Sequence, residues 1–155
     1  MEKTSINKFN IRVYGLVVND KQQVLLSDEY QLDMKMTKFP GGGLNFGEGT
    51  IDCIKREAIE EFGQPVEVVE HFYTTDFFQK GHSVFGMQII SIYYFIKFID
   101  EIKFKISDKL FDFSDMVNGN QSFRWINIKD LKTQDVTFPI DKKVVQLLKI
   151  RLNLF

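Results

Sequence analysis

The chain has 155 residues, enough for one domain with a sizeable core. Its 20 basic and 21 acidic residues leave a formal charge of −1, so the molecule as a whole exerts no pull on nucleic acid or an acidic membrane. Met1 to Asn10 is polar and has no apolar signal core, and Cys53 is the one cysteine, which excludes an internal disulfide and leads to the expectation of a cytoplasmic protein.

Phe9 to Val18 alternates and is rich in β-branched residues, and Asn19-Asp20-Lys21 supplies turn chemistry before Val24-Leu25-Leu26. This pattern predicts a hairpin. Ser27 to Lys38 reads as a longer polar connection carrying Tyr30, Asp33, Met34 and Lys35, placed to form the rim of a substrate site. It leads into Phe39-Pro40-Gly41-Gly42-Gly43-Leu44-Asn45-Phe46-Gly47-Glu48-Gly49, where proline fixes the start and five glycines let bare backbone approach a phosphate or a metal. Thr50 is the predicted N-cap, and Gly63 followed by Pro65 the predicted stop, of a helix from Ile51 to Phe62. At about 100° per residue, Ile51, Ile54, Ala58 and Phe62 form one stripe, with Glu57, Glu60 and Glu61 clustered beside it.

Val66 to Tyr73 reads as a strand, and Thr74 to Ser83, with Phe77, Phe78, Lys80 and His82, as a loop. Val84 to Ile99 contains the apolar run Ile89-Ile90-Ser91-Ile92-Tyr93-Tyr94-Phe95-Ile96. A membrane helix needs about 20 mostly apolar residues. Gly86, Gln88, Ser91 and Lys97 interrupt this run, and its β-branched and aromatic content predicts a buried central strand, broken or bulged near Gly86. Ser107 to Gln121 reads as a loop or a short helical excursion, and Phe123 to Ile128 as a strand. Ile140 to Leu152 is a predicted amphipathic helix with Val144, Leu147, Leu148 and Ile150 inward and Lys142, Lys143, Lys149 and Arg151 solvated. The order of elements predicts an α/β layered domain with a mixed sheet.

The acidic helix carries the chemistry. Carboxylates three and four residues apart repel by a few tenths of a kcal/mol per exposed pair. A hard divalent cation would offset that repulsion, since Mg²⁺ takes oxygen ligands and shares its shell with substrate phosphates. The plain alternative is a solvated acidic face with Arg56 reaching toward Glu60. The glycine loop that precedes the helix shifts the weight toward the first, and Gly42, Glu48, Arg56, Glu57, Glu60, Glu61 and Gly63 stand in the order G-x5-E-x7-R-E-x2-E-E-x-G. This stretch resembles the Nudix box. Ala58 and Gln64 stand where that box has aliphatic residues, and these departures bear on packing.

The resemblance implies the Nudix fold, an α-β-α sandwich with a mixed β-sheet, here as a single domain over residues 1–155. It implies Mg²⁺-dependent hydrolysis, with Mn²⁺ as the substitute ion, of a pyrophosphate bond in a nucleoside diphosphate linked to another group. Nucleoside triphosphates, nucleotide sugars, ADP-ribose and dinucleoside polyphosphates all fit that description. Catalysis would rest on Glu57, Glu61 and Arg56, and metal binding on Glu57, Glu60, Glu61 and the Gly42 carbonyl, with Glu48 and Arg56 orienting the ligands. Glu57 is the candidate base, with Asp100, Glu101, Asp112 and Asp115 as alternatives from later loops.

Around that centre, Tyr30, Phe46, Phe77 and His82 are candidate substrate contacts, although a chain with 16 phenylalanines uses most of them for packing. Cys53 reads as a space-filling residue and His71 as structural. The expected partner is a small nucleotide, without nucleic acid or membrane, and a homodimer is compatible with the resemblance. The rival function is a catalytically silent Nudix-like nucleotide-binding or regulatory module. An RNA reader would need a basic strip, which the sequence lacks.

Overall fold

The computed structural model describes residues 5–82 and 85–155. Met1 to Thr4 of the polar amino terminus, and Ser83 with Val84 at the expected junction of loop and strand, lie outside the described residues. Two sheets and two helices make up the fold. One sheet is mixed, in the order β4 (Gly41–Gly43), β1 (Lys8–Leu16), β6 (Met87–Phe98), β5 (Val66–Thr74), with β1 and β6 parallel and the outer pairs antiparallel. The other is antiparallel, in the order β3 (Met34–Lys38), β2 (Gln23–Gln31), β7 (Gln121–Asn127). The helices are α1 (Thr50–Phe62) and α2 (Pro139–Arg151).

Strand alternation sorts the core into two layers. Val13 of β1, Val17 just after it and Leu25 of β2 turn toward α1, where Cys53, Ile54, Ala58 and Phe62 meet them together with Val66, Ile96 and Phe123. Their neighbours Tyr14, Leu16, Val24 and Leu26 turn the other way, onto Val144, Val145 and Leu148 of α2. This is the expected α-β-α sandwich. Each fully buried aliphatic side chain contributes about 1.5–3 kcal/mol of transfer free energy, so two such layers supply most of the cohesion. Among the described residues no helix is long and apolar enough to cross a membrane.

Several local expectations are corrected. The segment around Asn19 does turn, with Asn19 Oδ1 accepting the backbone N–H groups of Lys21 and Gln23 at 3.0 Å, but β1 and β2 meet only at the Val18–Val24 bridge and then enter different sheets. Ser27 to Lys38 is itself a hairpin and not a loop: Leu32 and Asp33, both at positive φ (53° and 58°), form a two-residue turn between the paired Gln31 and Met34. Five of its polar residues, Ser27, Asp28, Glu29, Thr37 and Lys38, are interior. Asp28 is fully buried, accepting from Arg124 Nε at 2.7 Å and from the Thr37 hydroxyl at 2.7 Å. A strand whose buried residues are polar and mutually hydrogen-bonded carries no apolar alternation to read.

On α1 the N-cap is Gly49, not Thr50; Asp52 accepts the Gly49 N–H at 3.2 Å, and the Thr50 hydroxyl is hydrogen-bonded to Tyr94 at 2.6 Å. Gly63 closes the helix in the left-handed conformation. Ile51 is exposed and Cys53 buried, because the inward arc is centred near Ile54. The same displacement occurs on α2, where Val145 is buried and Ile150 is exposed. Gln64 occupies its aliphatic position by being buried and paired: Nε2 donates to the Glu101 carbonyl at 2.8 Å and Oε1 accepts the Lys103 N–H at 2.7 Å. Residues 107–120 are irregular, as read from their polarity, and Gln121 at the end of that segment opens β7.

Candidate active site

Gly41–Gly43 forms the β4 edge of the mixed sheet, and the absence of side chains there is what brings α1 to the site. A Cβ on Gly42 would lie 2.3–2.7 Å from the carboxyl atoms of Glu57, so the helix carboxylate occupies the space that any other residue would fill. Glu57 and Glu61, four residues apart, both line a pocket of about 530 Å³ with the glycine strand. Glu60 does not line it; its side chain is 57% exposed and is held by Arg56 at 3.1 Å. Thus the predicted trio divides, two carboxylates facing inward and one outward.

Arg56 joins this acidic set to the loop. Its Nε and Nη2 grip the two oxygens of Glu48 at 3.0 and 2.7 Å, Nη2 also donates to the Gly43 carbonyl at 2.9 Å, and Nη1 reaches Glu57 at 3.1 Å. A planar fork matches this bidentate arrangement as a lysine would not. The hydrogen bonds from Arg56 and the Asn45 N–H hold the Glu48 carboxyl down at about 2. Burial pushes the Cys53 thiol up to about 12, and its Sγ lies against the Gly43 carbonyl at 3.5 Å, which fits a packed, unreactive cysteine.

Glu61 is the unusual group. Oε1 accepts from Gln121 Nε2 at 3.0 Å, while Oε2 is buried with no partner among the described residues. Burial pushes its carboxyl up to about 7, against the pull of Lys38. Lys38 is itself enclosed, paired with Glu29 at 3.0 Å and donating to the Gly41 carbonyl at 3.3 Å. Burial alone would lower its ammonium, but Glu29, Tyr14 and Glu61 raise it. Opposite, Tyr93 donates to Asp141 Oδ1 at 2.5 Å, and burial pushes the Asp141 carboxyl up to about 6.

Four carboxylates (Glu29, Glu57, Glu61, Asp141) and two cations (Arg12, Lys38) line the pocket, leaving two negative charges in excess when all are ionised. Among the described residues no three acidic, histidine or cysteine groups converge as a ready-made cation cage. An unpartnered carboxylate oxygen beside a second carboxylate and open backbone nevertheless suits a divalent cation that completes its shell with water and substrate oxygens.

The remaining sequence candidates are scattered. His82 lines the pocket, its ring 5.3 Å from that of Phe138. Tyr30, Phe46 and Phe77 do not line it. Tyr30 alternates with the pocket-facing Glu29 and Gln31, and Phe46 is fully exposed on the glycine loop. Asp112 is taken up by Ser107 at 2.6 Å and Lys105 at 3.3 Å, and neither it nor Asp100, Glu101 and Asp115 line the pocket. His71 bonds Thr74 at 2.8 Å on the far strand β5.

Sequence reasoning missed Arg12, Glu29, Lys38, Gln121 and Asp141. A legible signal existed for the last: Asp141 interrupts the buried face of α2 between Ile140 and Val144, where an unpaired carboxylate would be costly.

A model of the NUDIX domain family matches residues 8–148. The chain belongs to that family. Its Nudix box is the stretch from Gly42 to Gln64 that builds the carboxylate wall described above. Over 54 residues the chain is 44% identical to an RNA pyrophosphohydrolase of Ruthia magnifica subsp. Calyptogena magnifica, an alignment covering 34% of this chain and 29% of that relative. The match therefore spans less than a third of the relative's length. Among solved structures, a NUDIX hydrolase from Nitrosomonas europaea aligns with a TM-score of 0.68 at 16% identity, covering 95% of this chain and 91% of the other. A structure of MutT from Aliivibrio salmonicida or Vibrio cholerae aligns at 0.62 and 20% identity, covering 93% and 99%. An ADP-ribose pyrophosphatase from Streptococcus suis aligns at 0.56 and 16%, covering 93% and 90%. At these identities the likeness establishes the Nudix fold. Nudix hydrolases generally use divalent cations.

Proposed function

We propose that this Nudix protein is a pyrophosphohydrolase that cleaves the P–O–P bond of a nucleoside diphosphate linked to another group, with Mg²⁺ as its ion and Mn²⁺ as the substitute. The observation that carries the reading is the pairing of Glu57 with Glu61, whose Oε2 is buried and unpartnered, on one wall of a pocket floored by bare glycine backbone. The family, and the printed activities of an RNA pyrophosphohydrolase and an ADP-ribose pyrophosphatase among its likenesses, agree with it.

Glu57, Glu61 and the Gly42 carbonyl would hold the ion, with Glu60 joining only after release from Arg56. Bound there, Mg²⁺ supplies charge neutralisation at the phosphoryl oxygens and a more acidic water. Arg56 keeps Glu57 in place through the same fork that binds Glu48 and the Gly43 carbonyl, so the loop and the helix stay in register. Glu57, pinned on one oxygen by Arg56, would accept the proton of the attacking water. Phe138 and His82, their rings 5.3 Å apart, also line the pocket and would contact the group beyond the diphosphate.

The test is product release from a panel of nucleoside triphosphates, nucleotide sugars, ADP-ribose and dinucleoside polyphosphates with Mg²⁺ or Mn²⁺, beside EDTA and Glu61→Gln controls. The proposal expects one class to turn over with kcat/KM of about 10⁴ M⁻¹s⁻¹ or more, and both controls to be silent. No turnover, with nucleotides still raising the melting temperature, would replace it by the binding-module reading.

A further inference from the structure

The pocket contains a cation that the proposed hydrolysis leaves unused. Arg12 lies in the middle of β1, paired with Gly43 of β4 on one side and Ser91 of β6 on the other. Its Nε donates to the Tyr14 hydroxyl at 2.6 Å, which fixes the plane of the guanidinium. The terminal edge, Nη1 and Nη2, forms no ion pair and no hydrogen bond among the described residues, although the group lines the pocket with Glu57 and Glu61. Nη1 also lies 3.8 Å from where a Cβ on Gly43 would stand, so the fork overhangs strand β4 where a side chain is missing.

A half-buried guanidinium normally finds a carboxylate or carbonyl for its terminal edge, because a desolvated donor left unmade is costly. Lys38, the other cation of the pocket, has done so with Glu29 and two backbone carbonyls. Arg12 is hydrogen-bonded through its inner nitrogen alone, with its guanidinium carbon 5.7 Å from the centroid of the Tyr14 ring, and its outer pair has no hydrogen-bond partner among the described residues. Such a fork matches two oxygens of one phosphate.

Resting on the pyrophosphohydrolase reading, we propose that the Nη1–Nη2 edge of Arg12 binds a phosphate of the diphosphate group bidentately, from the sheet side of the pocket, with Tyr14 as its positioning residue. The diphosphate then lies between this fork and the Glu57/Glu61 wall. Arg12 thereby selects for a diphosphate-bearing ligand independently of the divalent ion, and its contribution appears in ligand binding before any bond is cleaved.

The experiment is titration of ADP in EDTA, followed by thermal shift and calorimetry, with wild type, Arg12→Gln, Arg12→Lys and Tyr14→Phe, and adenosine as the uncharged control. The wild type is expected to bind ADP and not adenosine. Arg12→Gln should weaken ADP binding by about 10- to 100-fold, the range for charge-assisted hydrogen bonds. Arg12→Lys should recover little, since a point charge cannot make the fork, and Tyr14→Phe should weaken ADP binding while its ligand-free unfolding remains a single cooperative transition. Equal ADP affinity in wild type and Arg12→Gln, or full recovery by Arg12→Lys, would overturn the proposal. Because binding is read without turnover, an enzyme that hydrolyses nothing would defeat the catalytic reading and leave this result standing on its own.

Discussion

Gly42 and Glu57 share one volume: a Cβ on the glycine would sit 2.3 Å from Oε1 of the glutamate. The backbone at Gly42 is not in the left-handed region, so alanine fits the chain but evicts the carboxylate. Gly42→Ala should therefore fold, with a melting temperature within a few degrees of wild type, and lose about 100-fold or more in kcat, the scale set by ~1 Å misplacements. Gly41→Ala is the contrast. There φ is 144° and the new Cβ would meet the Val13 carbonyl at 2.1 Å and the Tyr14 Cα at 2.7 Å, both backbone. It should cost about 3 kcal/mol or more, read by denaturant unfolding.

Lys38→Met tests the enclosed ion pair. Removing the ammonium leaves Glu29 and Glu61 facing each other in a desolvated site, and breaking such a pair costs about 3–5 kcal/mol. Urea unfolding should show this loss, and Lys38→Met with Glu29→Gln should recover much of it. Additive losses in the double variant would show that the pair does not couple.

Asp141 makes stability depend on pH. Its carboxyl is raised to about 6 from an ordinary 3.8 by burial, so between those values the native state keeps a proton that the unfolded chain has lost. Stability from this group is thus greatest below pH ~4, falls as pH rises toward ~6, and stays level above. Two pKa units correspond to about 3 kcal/mol. Asp141→Asn retains an acceptor for the Tyr93 hydroxyl and removes the charge. Thermal unfolding in EDTA should find the variant flatter over that window and more stable than wild type at pH 7.5.

Replacing Arg56 by lysine should lower kcat while leaving the fold intact, because lysine can neutralise Glu48 but cannot also hold the Gly43 carbonyl and Glu57. A kcat equal to that of wild type would show that Glu57 needs no such hold.

The glycine loop, α1 and a layered α/β order were legible because they obey local rules, a helix stop at Gly63 and strands rich in Val, Ile and aromatic side chains, while the sandwich itself followed from the resemblance carried by seven fixed residues. What escaped was decided by tertiary partners. The β2–β3 hairpin was hidden because its interior is the polar set Ser27, Asp28, Glu29, Thr37 and Lys38, whose pairing across strands no single segment displays. The reach of Arg56 forward one turn to Glu60 was one of two readings the spacing offered, but that it holds Glu60 alone of the three carboxylates outside the pocket was not legible. Arg12 stands in an alternating strand where an arginine reads as solvated, until the register places it over Gly43.

In the proposed reaction the inward pair Glu57 and Glu61 holds the divalent ion on which cleavage depends. Calorimetric titration of Mn²⁺ into wild type and Glu61→Gln at pH 6, 7 and 8 addresses it most directly. Because burial raises Glu61 to about 7 and a ligand must shed its proton to bind, wild-type affinity should climb as pH rises through ~7 and then level, while Glu61→Gln should bind weakly with no such dependence. Equal Mn²⁺ affinity and equal pH dependence in the two proteins would show that Glu61 does not hold the ion.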